Sequence, residues 1–62
     1  MPLIQITMVE GRTVEQKREL ARELTDTFAR VAGAKPGSIW VTFDELPADS
    51  WATGGTLLAD QQ

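Results

Sequence analysis

Pro2 directly follows the initiator Met1, and that adjacency carries chemistry. A small second residue generally allows the initiator methionine to be trimmed. Pro2 then presents a secondary amine, the only one a protein can offer without a cofactor. Such a nitrogen works as a general base, or as a nucleophile towards carbonyl carbon, once its surroundings lower its pKa towards the working pH. While Met1 stays attached, the same nitrogen is an amide with no useful basicity. Arg12 carries a planar guanidinium, and by itself it reads as an exposed turn residue. Trp40 and Trp51 each offer a large apolar surface with one N–H donor. Taken alone, a proline at position 2 and an arginine in a turn are commonplace, so the elements around them decide what they do.

Composition excludes much other chemistry. The chain has 62 residues, no Cys and no His, which removes disulfides, zinc fingers, haem ligation and Ser-His or Cys-His catalysis. No Asp-rich calcium-type loop is present, and neither a metal nor a cofactor is expected. The net charge of −3 and the scattered six basic residues disfavour nucleic acid. No apolar run approaches the roughly 20 residues of a membrane span, and no signal peptide is visible, so a cytoplasmic protein is expected. Hydrophobic residues make up 42% and Pro only three positions, which argues against disorder. One domain over residues 1–62 is expected, and a chain this short buries only about 60% of its unfolded surface. With disulfides and metals excluded, partner subunits are the remaining means of stabilisation.

The alternation of Ile4, Ile6 and Met8 predicts a strand from Pro2 to Val9. Glu10-Gly11-Arg12 is a turn. Thr13-Val14-Glu15-Gln16 matches a capping box and predicts a helix from Val14 to about Ala32. Leu20, Leu24, Phe28 and Val31 form its apolar stripe, with Lys17, Arg18, Arg22, Glu23, Asp26 and Arg30 on the solvated face. Asp26 is spaced for pairing with both Arg22 and Arg30. Gly33 and Pro36 end the helix. Ile39 to Leu46 reads as a second strand, with Trp40, Thr42 and Asp44 on one face, and Pro47 stops it. Thr53-Gly54-Gly55-Thr56 is a hairpin turn within 51–58, and residues 59–62 read as a frayed tail.

Strand–helix–strand order implies a right-handed crossover and two parallel strands. One helix covers one face of that ribbon and leaves the other face and both edges bare, which is not a stable arrangement for a single copy. A closed, symmetric oligomer larger than a dimer supplies the missing cover. It also sets the N-terminus in a dry interface, where burial disfavours a charged amine and lowers its pKa.

The run Pro2-Leu3-Ile4-Gln5-Ile6, the turn Glu10-Gly11-Arg12-Thr13, Glu15-Gln16-Lys17 and the Gly54-Gly55 hairpin resemble the 4-oxalocrotonate tautomerases over nearly the whole chain. The resemblance implies an α+β fold, a β-α-β subunit with a C-terminal hairpin, assembled as a homohexamer, a trimer of dimers. It implies cofactor-free keto–enol tautomerisation of a small carboxylate. Pro2 would shuttle the proton and Arg12 would bind the carboxylate.

One departure changes the expectation. Well-studied members of that family carry a second arginine at the start of the second strand, donated by a neighbouring subunit, and Trp40 occupies that position here. An indole has one donor and no charge, and losing such a stabilising donor costs about 10² to 10³ in rate. Trp51 stands where the family commonly has a pocket-wall Phe. A packing role competes with pocket lining for both tryptophans. One arginine and two tryptophans suit a monocarboxylate with an apolar end, such as phenylenolpyruvate, over the dicarboxylate 2-hydroxymuconate. Asp44, Glu45 and Asp49 read as surface residues. Two alternatives stand beside this one: a non-catalytic member, and a subunit of a mixed oligomer whose partner supplies the missing arginine.

Overall fold

The computed structural model describes residues 1–61. Strand β1 (Leu3–Val9), helix α1 (Val14–Ala32) and strand β2 (Trp40–Leu46) follow in order, then a short hairpin of β3 (Ala52–Thr53) and β4 (Thr56–Leu57). β1 and β2 pair in parallel, from Leu3 opposite Trp40 to Val9 opposite Leu46. β3 and β4 pair antiparallel. This is the α+β arrangement expected from the sequence. No described helix is long and apolar enough to cross a membrane.

The two-residue period of a strand sorts the side chains. Ile4, Ile6 and Met8 stand beside Val41, Phe43 and Glu45 in register, and all six are half-buried. Leu3, Gln5 and Thr7, beside Trp40, Thr42 and Asp44, form the opposite, exposed face. The helix lies over the first face, where Ile4, Leu24, Thr27, Phe28, Val31 and Ala32 line an open apolar groove of about 400 Å³. Val31 remains 72% exposed, because a two-stranded ribbon is too narrow to cover the whole apolar stripe of α1.

The capping box forms in full. Gln16 N–H donates to Thr13 Oγ1 at 3.1 Å, and Thr13 N–H donates to Gln16 Oε1 at 2.9 Å. At the other end Gly33 N–H donates to the Ala29 carbonyl at 2.9 Å. The hairpin turn uses Gly54 at φ 60° and Gly55 at φ 85°, two consecutive left-handed residues of the kind a tight hairpin requires.

Five expectations are corrected. Ile39 is not in the second strand; Pro36–Ser38 forms a 3₁₀ turn, and Ile39 N–H closes it onto the Pro36 carbonyl at 3.1 Å. Lys17 is not on the solvated face, and Glu45 is not a surface residue. They pair at 2.7 Å with side chains 26% and 27% exposed, tying α1 to β2. Asp26 pairs with Arg22 at 3.5 Å, and no pair with Arg30 forms. The tail is not frayed through residue 61: Leu58–Asp60 forms a 3₁₀ turn, and the Gln61 side-chain amide donates to the Thr56 carbonyl at 3.1 Å. Gln62 lies outside the described residues.

The single chain has a thin core. None of the described residues is fully buried, and the accessible surface is 4743 Å². A folded monomer of 6.8 kDa is expected to expose about 4,000 Å². The excess of roughly 700 Å² resembles the ~800 Å² that one partner buries in a standard interface. The molecule measures 43 × 24 × 15 Å, longer than the ~28 Å of a 19-residue helix, because the C-terminal arm continues beyond the ribbon.

Candidate active site

Pro2 sits at the entrance of β1, half-buried. Its carbonyl accepts a hydrogen bond from the Trp40 backbone N–H at 2.9 Å, so the parallel ladder extends one residue ahead of β1 and fixes the Pro2 ring. Met1 projects from that point, 90% exposed. Trp40 therefore meets Pro2 through its backbone. The indole lies with Leu3 on the bare sheet face and is 57% exposed. The backbone clamp follows from strand register, which sequence alone does not give.

Arg12 lies at the far end of the ribbon. Six residue steps separate Leu3 from Val9, about 20 Å at the rise of a strand, and Arg12 is three residues further on. Glu10 N–H donates to the Leu46 carbonyl at 2.9 Å and extends the ladder at this end. Gly11 then turns the chain with φ 129°, a conformation that favours glycine. Arg12 itself is exposed and makes no ion pair among the described residues.

Trp51 shares the Arg12 end. β2 finishes at Leu46, where it meets Val9, and the 3₁₀ turn Ala48–Ser50 leads directly into Trp51. The Trp51 carbonyl accepts from Leu58 N–H at 2.8 Å, which anchors the arm. Its indole Nε1 is shielded from solvent and has no hydrogen-bond partner among the described residues. The four singled-out residues thus separate into two half-sites, Pro2 with Trp40 and Arg12 with Trp51. One chain does not bring its own halves together.

The description "Tautomerase enzyme" belongs to the family model that matches residues 2–61. The chain belongs to the tautomerase family. A Lactococcus lactis protein named "Probable tautomerase" is 40% identical over 57 residues, spanning 92% of this chain and 93% of that protein. Among solved tautomerase structures, YwhB, a homologue of 4-oxalocrotonate tautomerase, matches with a TM-score of 0.94 at 36% identity, over 98% of this chain and 100% of its own. A heterohexamer 4-oxalocrotonate tautomerase from Chloroflexus aurantiacus matches with a TM-score of 0.93 at 37% identity, with both chains covered in full at 100%. This tautomerase-family chain has the β-α-β ribbon, a turn at Gly11 and a C-terminal hairpin.

Proposed function

We propose that this chain is a subunit of an oligomeric, cofactor-free keto–enol tautomerase, with Pro2 as general base after removal of Met1. Its substrate is a small enol carboxylate, with phenylenolpyruvate-like monocarboxylates favoured over 2-hydroxymuconate. The observation that carries this reading is the 2.9 Å bond from Trp40 N–H to the Pro2 carbonyl. It holds Pro2 by its carbonyl, so that removal of Met1 would leave the nitrogen as the free end of an anchored strand. A base fixed in this way transfers protons without first losing conformational freedom.

The separation of the half-sites by more than about 20 Å leads to the second part of the proposal. Pro2 of one copy works with Arg12 and Trp51 of another. The bare Leu3–Trp40 face, the open groove under Val31 and the excess surface support an assembly, which we take to be a hexamer, a trimer of dimers. In the shared site Arg12 anchors the substrate carboxylate and Trp51 forms an apolar wall. Pro2 removes the enol proton and returns a proton to carbon, so no net proton is consumed. Trp40 brings apolar surface without charge, which disfavours a second carboxylate on the substrate.

Ketonisation of phenylenolpyruvate by wild type, Pro2→Ala and Arg12→Ala tests the assignment. The proposal requires a large loss in both variants, and equal rates for all three sink it. A second reading is a mixed oligomer in which a related chain supplies an arginine at the position of Trp40. The similarity to the Chloroflexus aurantiacus heterohexamer favours it. Native mass of the assembly purified from its source distinguishes the two, because the mixed oligomer requires two subunit masses.

A further inference from the structure

We infer that Lys35 supplies the positive charge at the Pro2 end of the subunit that an uncharged Trp40 cannot, and that it draws the substrate carboxylate towards the proline. This rests on the proline-based reading above.

The charges in this acidic chain are unevenly distributed. Three of the six cations are engaged: Lys17 with Glu45, Arg18 with Glu15, and Arg22 with Glu19 and Asp26. Arg12, Arg30 and Lys35 make no ion pair among the described residues. Arg12 is at the far end of the ribbon. The helix runs back along β1, so its last turn and the following loop arrive beside Pro2. Those segments, residues 1–9 and 27–43, contain Arg30 and Lys35 and no Asp or Glu. The segments around Pro2 thus carry cations and no carboxylate, within a chain of net charge −3.

Lys35 is the better placed of the two cations. Arg30 projects from the helix face turned away from the Leu24–Phe28 stripe. Lys35 opens the turn that delivers Trp40 to Pro2. Its carbonyl accepts from Ser38 N–H at 2.9 Å and from Ser38 Oγ at 2.8 Å. That closed turn keeps Lys35 and Ser38 within about 7 Å, and two extended residues of ~3.3 Å each lead on to Trp40. The Lys35 backbone is thus held within roughly 13 Å of the strand position that clamps Pro2, with a flexible four-carbon stem to shorten the distance. A lysine here acts at a distance as a point charge.

Lys35→Gln tests this with phenylenolpyruvate and its uncharged methyl ester. The expected result is a KM for the acid raised about 5-fold, with kcat within about twofold, and unchanged kinetics for the ester. The salt dependence of kcat/KM flattens, and Lys35→Arg restores the wild-type values. An unchanged KM and salt dependence in Lys35→Gln overturn the inference. Pro2→Ala, assayed alongside, keeps the two readings apart. If it is inactive while Lys35→Gln is normal, only the role of Lys35 fails. If Pro2→Ala is as active as wild type, the proline reading fails and this inference with it.

Discussion

Combining two impaired variants, Pro2→Ala and Arg12→Ala, in one assembly separates a site shared between copies from a site within one chain. The ends of β1 lie about 20 Å apart, so the proposed site takes its Pro2 and its Arg12 from different chains. Pro2→Ala removes the base and costs about 10²- to 10⁴-fold. Arg12→Ala removes charge-assisted bonds to the carboxylate and costs about 10- to 100-fold in kcat/KM. In a randomly mixed equimolar assembly, half of the proline positions are intact. Half of the arginines facing them are intact independently. Roughly a quarter of wild-type activity should therefore return, as expected for two independent contributors to a closed assembly. The mixture is made by co-unfolding and refolding, and phenylenolpyruvate ketonisation is followed. An activity equal to the mean of the two separate variants would refute the shared site, because a site within one chain gains nothing from mixing.

Three further outcomes follow from named contacts. Trp40→Arg is expected to increase turnover of a dicarboxylate enol such as 2-hydroxymuconate, by up to about 10²- to 10³-fold, in steady-state assays against phenylenolpyruvate as reference. Thr13→Ala removes the hydroxyl acceptor of the capping box, while the backbone N–H at position 13 still donates to Gln16 Oε1, and should cost about 1 kcal/mol, measured by urea unfolding at fixed protein concentration, with catalysis at room temperature unchanged. Lys17→Ala leaves Glu45 half-buried without its partner and should cost about 1–2 kcal/mol, with the double variant Lys17→Ala/Glu45→Ala recovering part of the loss.

Periodicity, caps and breakers were enough for the architecture. Ile4, Ile6 and Met8 face the helix as their alternation requires, and Thr13-Val14-Glu15-Gln16 starts α1 where its spacing implies. The errors lie where tertiary geometry overrides local pattern. Lys17 follows the first turn of α1 and reads as solvated, yet its long stem reaches a carboxylate on β2. Glu45 continues the two-residue period of Val41 and Phe43, a clue that its charge obscured. Ile39 belongs to the strand by pattern, but Pro36 and the Ser38 hydroxyl favour a 3₁₀ turn. The site residues were visible as types, and their separation was not. Nothing in the spacing of Pro2, Arg12, Trp40 and Trp51 reveals that the first and third lie at one end of the ribbon and the second and fourth towards the other. That arrangement comes from strand register.

The central claim is that catalysis belongs to the free Pro2 amine. Intact mass and phenylenolpyruvate kinetics measured on the same preparations address it most directly, comparing chain that has lost Met1 with chain carrying one extra residue ahead of Pro2. The account predicts full activity in the first and loss of about 10²-fold or more in the second, with the assembly preserved in both. Equal activity in the two preparations would contradict it.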